Sequence, residues 1–177
     1  LHRALMRRFD ERFYRRGVAL TGLHQSGGRV TAVLSNGEKR DADLLIGADG
    51  FRSTVRGLVA PDAQPAYAGY VGWRGLIDES DFSPALQRDF FPAFSFAVPP
   101  GEQMLGYPVA GPGDDIRVGH RRYNIVWYRP AEGAALDDLL TDAHGQRHAM
   151  SIPPPLIRVD VVAALREAAR YVISRRS

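Results

Sequence analysis

Residues 43–56, DLLIGADGFRSTVR, constrain this chain more than any other stretch. The apolar run Leu44-Leu45-Ile46 reads as a strand. It runs straight into Gly47-Ala48-Asp49-Gly50 and then into an Arg-rich helix start. Gly47 and Gly50 allow positive φ or close backbone approach, and a carboxylate just after a strand can accept hydrogen bonds from a sugar hydroxyl. A strand-turn-helix crevice with Asp49 exposed at its mouth follows, and a nucleotide fits there. Taken alone, the tetrapeptide also fits a tight turn in which Asp49 caps the helix. Arg52 and Arg56 suit a solvated helix face, or a pyrophosphate.

The 177 residues, 45% of them hydrophobic, are enough for a sizeable core in one domain, or one domain plus part of another. No apolar run reaches membrane-spanning length, and the opening LHRALMRRFDERFYRR is too charged for a signal peptide, so a soluble cytoplasmic chain is expected. With no cysteine, disulfides, zinc-thiolate sites and thiol catalysis are excluded. The net charge of +3 is small and dispersed, and the arginine clusters lack interleaved stacking aromatics, which argues against nucleic-acid binding. His120, His144 and His148 do not have metal-ligand spacing and read as surface or loop residues. A P-loop, a Gly-x-Ser-x-Gly elbow and His-Glu-x-x-His are all missing.

Two blocks emerge along the chain. Residues 1–62 read as a helix over 1–16, ended by Gly17, then a ladder turning at Gly27-Gly28 and Asn36-Gly37 and closing on Leu44–Ile46. From residue 63 to 177 aromatic and β-branched runs over 67–77, 90–98, 103–109 and 117–128 predict a mainly antiparallel sheet. Short helices are expected from Ser83-Pro84 and over Leu136–Ala143, and an Ala-rich helix near 160–172 after Pro153-Pro154-Pro155. The fold class is α+β. Trp73, Tyr107, Asn124 and Tyr128 are candidates for the wall of a flat pocket. Strand alternation puts Asn124 and Tyr128 on one face and Tyr123 and Trp127 on the other, so only one set can line it.

Leu44 to Gly50 with Arg52-Ser53 and Val55-Arg56 together resemble the second flavin motif of the FAD-dependent aromatic hydroxylases, the single-component flavoprotein monooxygenases. AGYVGWRGLIDE, Tyr107-Pro108, NIVWY followed by AEG, and LDDLLTDAHGQR resemble the hydroxypyridine-acting branch of that family. The resemblance implies that residues 1–62 are part of a Rossmann-like FAD-binding region, with Asp49 and Gly50 serving the flavin and the nicotinamide nucleotide. Residues 63–177 would be the substrate-binding sheet domain. It further implies reduction of FAD by NADH or NADPH, and reaction with O2 to a flavin C4a-hydroperoxide. Oxygen would then pass to an electron-rich hydroxypyridine or phenol ring.

Family members carry an early Gly-x-Gly-x-x-Gly and a late Gly-Asp motif, neither of which is present. With a start at Leu1 in mid-helical pattern, this leads to the expectation of a middle piece of an enzyme, inactive by itself. A homodimer stays open. The competing readings are a binding module for a planar ligand without redox chemistry, and a related flavoprotein acting on an apolar substrate.

Overall fold

Two glycine turns organise the first sheet. The computed structural model describes residues 2–174, and Leu1 and residues 175–177 lie outside it. Strand β1 (Leu20–Ser26) turns through Gly27-Gly28 into β2 (Arg29–Leu34), and a loop at Asn36-Gly37 leads to β3 (Lys39–Ala42). Gly27 and Gly28 have φ of 57° and 76°, as a two-residue turn between right-twisted strands requires. The three strands pair antiparallel in the order β1-β2-β3.

Two expectations for this half are corrected. The stretch 1–16 is not one helix: α1 covers His2–Met6, and a separate 3-10 turn covers Glu11–Phe13. The Asp10 carboxylate accepts from the Arg12 backbone N–H at 3.0 Å, a local bond that competes with continued α-helix. Leu5, Phe9 and Phe13 are exposed, so burial does not offset the interruption. Leu44–Ile46 forms no strand either, and the ladder ends at β3. A continuous apolar run suits a strand covered on both faces. Among the described residues no strand pairs with it, and Leu44 and Ile46 are 73% and 79% exposed.

The aromatic and β-branched runs of the second half do form a sheet. Its strands are β4 (Tyr70–Asp78), β5 (Ser95–Ala97), β6 (Gln103–Val109) and β7 (Arg122–Pro130), antiparallel in the order β4-β7-β6-β5. Helix α3 (Pro84–Phe90) opens on Ser83, whose Oγ accepts from the Leu86 N–H. Helix α4 covers Gly133–Leu139 rather than 136–143. It stops early because residues 141–148 wrap around Asp142, which accepts from the His144 and Gln146 N–H groups at 2.8 and 3.0 Å and pairs with His148 Nε2 at 2.8 Å. Asp137 and Asp138 therefore fall near the end of α4, where they pair with Arg147 and Arg158 at 2.5 and 2.7 Å. Helix α5 (Val159–Ser174) follows the proline break.

Directly opposed residues of an antiparallel pair share a face, so the register sorts this sheet into two sides. On one, Tyr123 and Trp127 are only 2% and 4% exposed. Tyr123 meets the rings of Phe82, Phe90 and Phe91 at 5.5–5.8 Å between centroids. Trp127 Nε1 donates to Glu102 at 2.8 Å, and the Arg129 guanidinium lies 4.7 Å from the Trp127 ring centroid. Beside this core Glu79, 1% exposed, accepts from Arg121 Nε and Nη2 at 2.9 and 2.6 Å and from the Gly119 N–H at 2.8 Å. The chain divides into two compact units, Leu1–Ala66 and Tyr67–Ser177.

Candidate functional site

In the first unit, the turn after Ile46 is built by its glycines. A Cβ on Gly47 would sit 2.7 Å from the Val55 side chain, so only glycine lets the turn lie against helix α2 (Thr54–Val59). Gly50 has φ of 77°. Asp49 is exposed, as expected, and it also caps α2. Its carboxylate accepts from Ser53 Oγ at 2.5 Å and from the Thr54 and Val55 N–H groups at 2.7 and 3.1 Å. The Ser53 hydroxyl and the Val55 N–H hold its carboxyl below the usual range, keeping it ionised. A carboxylate offers about four acceptor sites, so roughly one is left for an incoming hydroxyl. Arg56 donates to the Phe51 carbonyl at 2.6 Å, bracing the turn, and Arg52 lies over the Phe51 ring.

In the second unit, the side of the sheet opposite Tyr123 is half-open and rich in rings. Tyr107 stands across from Asn124, and Tyr128 across from Gly72. A Cβ on Gly72 would lie 3.4 Å from the Tyr128 ring, and Tyr70 packs edge-on against that ring at 5.4 Å. Phe94 stacks on Tyr107 at 4.7 Å and 14°, and on Phe96 at 4.9 Å and 29°. Between the two ring groups lie Leu76, Val126 and Leu105, with the Asn124 amide. Asn124 Nδ2 is buried and has no hydrogen-bond partner. A buried unpaired donor costs free energy until an acceptor meets it. Flat walls and one waiting donor suit a planar ring that carries an oxygen.

Three of the four pocket candidates, Tyr107, Asn124 and Tyr128, thus stand on one face. Trp73 does not join them: it pairs across from Trp127 on the packed side. Arg74, one residue on, faces the open side instead, opposite Val126. The sequence sets Arg74 beside Tyr70 and Trp73 on one strand of the cavity-walling set, but not among the four pocket candidates. The parity of Tyr70, Gly72, Arg74 and Leu76 could have grouped it, but only the register to β7 shows that this group shares a side with Asn124. Among the described residues no cluster of three or more His, Asp or Glu could hold a metal ion, and no helix is long and apolar enough to cross a membrane.

A family model described as FAD binding domain-like matches residues 67–176, the unit that carries this open face. The chain belongs to that family. Among curated proteins it is 33% identical over 145 residues to 2,6-dihydroxypyridine 3-monooxygenase of Paenarthrobacter nicotinovorans, covering 81% of this chain and 36% of the relative. It is 39% identical over 111 residues to 3-amino-4-hydroxybenzoate 2-monooxygenase of Streptomyces cremeus, covering 63% of this chain and 27% of the relative. The structure of 2,6-dihydroxypyridine-3-hydroxylase from Arthrobacter nicotinovorans superposes with a TM-score of 0.59 at 33% identity, over 78% of this chain and 36% of that one. The chain spans about a third of the length of these relatives. Its helices and antiparallel sheets are the α+β class expected from the sequence.

Proposed function

We propose that this chain contributes the substrate wall, and one flavin contact, of an FAD-dependent monooxygenase acting on an electron-rich aromatic ring of the hydroxypyridine or phenol class. The observation that carries this reading is the half-open face where a buried, unpartnered Asn124 amide lies opposite Tyr107, with Tyr128 and Tyr70 further along the same face. The residues of the first unit fit a flavin, because Asp49 is ionised, exposed and retains acceptor capacity for a ribose hydroxyl beside Gly50. When bound, FAD supplies electron transfer from NADH or NADPH to O2 and delivery of one oxygen atom to the ring.

The chain's own residues act on the ring. Phe94, Phe96 and Tyr107 offer a stacking surface, and Asn124 Nδ2 donates to a ring oxygen, fixing which carbon is presented. The apolar strip of Leu76, Leu105 and Val126 keeps water from the reacting edge. Nicotinamide-driven chemistry in a cysteine-free chain suits the cytoplasm.

The test is to purify the protein with any coding sequence that flanks this chain, titrate FAD by fluorescence quenching, and follow NAD(P)H oxidation with and without 2,6-dihydroxypyridine. Stoichiometric FAD, ring-stimulated oxidation and a product heavier by one oxygen support the reading. Asp49→Ala is then expected to weaken FAD or nicotinamide use by roughly tenfold. Ring binding with neither FAD nor turnover would instead favour the planar-ligand module.

A further inference from the structure

The open face of the second sheet carries three charged side chains, and they are not equivalent. Asp78 and Arg122 stand opposite each other at one end and neutralise one another at 2.7 Å. Arg74 stands in the interior, exposed, opposite Val126 and diagonal to both Asn124 and Tyr128. Diagonal neighbours on a sheet face lie about 7–8 Å apart at Cα, within reach of an arginine side chain. Among the described residues Arg74 makes no hydrogen bond, ion pair or ring contact, whereas its neighbours along the strands, Arg121, Arg122 and Arg129, are each tied to a carboxylate. Gln103 on this side is an uncharged amide. An uncompensated cation and an unpaired buried amide donor therefore lie side by side on an otherwise aromatic and apolar surface.

We infer that Arg74 is the charge-selecting residue of this face: with Asn124 Nδ2 it favours rings that present an ionised oxygen over neutral rings of the same shape. This rests on the open face being the substrate wall. A guanidinium offers a planar, permanently charged fork to an oxyanion and can also lie flat on an aromatic ring. Asn124 supplies a second, uncharged contact that sets orientation. Tyr107 and Tyr128 then contribute shape without discriminating charge.

The test is calorimetric and does not depend on turnover. Under nitrogen, 2,6-dihydroxypyridine and its non-ionisable counterpart 2,6-dimethoxypyridine are titrated into the full chain, into Arg74→Gln and into Arg74→Lys. Circular dichroism verifies the fold of each variant. The unmodified chain is expected to prefer the dihydroxy ring. Arg74→Gln is expected to lose roughly 10- to 100-fold in affinity for that ring and little for the dimethoxy ring, while Arg74→Lys stays within about threefold. Equal losses for both rings, no loss for either, or an unmodified chain without preference would overturn the inference. The two proposals fail separately. Arg74-dependent preference without FAD binding leaves this inference standing and removes the flavin reading; FAD binding and ring-stimulated oxidation with an indifferent Arg74→Gln does the reverse.

Discussion

Tyr123 and Tyr128 lie on one strand, yet one is sealed among Phe82, Phe90 and Phe91 while the other leans over Gly72 toward open space. Both sides of this sheet carry aromatic rings, so ring content alone does not tell core from open face. Covering elements do, and hydrogen-bond satisfaction alone does not, since the Tyr123 hydroxyl on the packed side is buried without a hydrogen-bond partner just as Asn124 Nδ2 is. On the packed side Trp127 has its Nε1 hydrogen bond, its stacked arginine and near-total burial; on the open side Asn124 and Arg74 have no partners among the described residues. One side is spent on folding, and the other is the side proposed to meet a ligand.

The largest difference is expected from truncating a ring on each side. Trp127→Ala removes a buried indole with its hydrogen bond to Glu102 and its contact with the Arg129 guanidinium, and is expected to cost about 3–5 kcal/mol. Tyr128→Ala gives up an edge-to-face contact with Tyr70 and is expected to cost about 1 kcal/mol. Urea unfolding of the two variants checks the ratio. Equal costs would erase the distinction between the sides.

Next comes the Glu79–Arg121 pair at the margin of the packed side. Glu79→Gln breaks a buried bidentate pair and is expected to cost about 3 kcal/mol. Hydrogen bonds from Arg121 hold the Glu79 carboxyl below its ordinary value of 4.5. Its stabilisation is therefore complete above that ordinary value and is lost as pH falls through the lowered one. The urea midpoint of the unmodified chain should fall as pH drops below about 4.5, and more steeply than that of Glu79→Gln.

Glycines sharpen the same comparison at smaller scale. A Cβ at Gly106 would meet the Tyr123 ring at 2.4 Å, whereas one at Gly72 would meet the Tyr128 ring at 3.4 Å. Gly106→Ala is expected to destabilise by about 2 kcal/mol because the packed ring cannot retreat. Gly72→Ala is expected to cost less than about 1 kcal/mol, since Tyr128 can swing outward. Thermal melts order the two.

Local signals in the sequence carried most of the strands. Gly27-Gly28 and Asn36-Gly37 mark real turns because positive φ is a backbone requirement local to those residues, and Ser83-Pro84 opens α3 for a similar reason. Whatever depended on a partner was lost. Leu44–Ile46 has the composition of a strand but lacks a ladder, and the first helix has a periodic apolar set that covers nothing. Trp73 was grouped with Asn124 because composition does not carry register. Moving one residue along a strand changes sides, so Trp73 falls on the packed side and Arg74 on the open one. Asp49 shows the reverse case. Cap and ligand contact looked like alternatives in the sequence, and the structure makes the cap without using every acceptor site of the carboxylate.

The last expected effect is the one that couples the two sides most directly. Asn124 Nδ2 is a buried donor with no partner, on the same strand whose other side is the core. Replacing it with leucine removes the unpaired group at nearly constant volume, so Asn124→Leu is expected to raise stability, by about 1 kcal/mol. If that donor is kept for a ligand oxygen, the same variant should bind 2,6-dihydroxypyridine roughly tenfold more weakly, a loss a purely structural amide would not produce. Stability and affinity moving in opposite directions would mark the open side as a site that accepts a folding cost for binding. A variant that loses both would place Asn124 with Tyr123 and Trp127, as a member of the core.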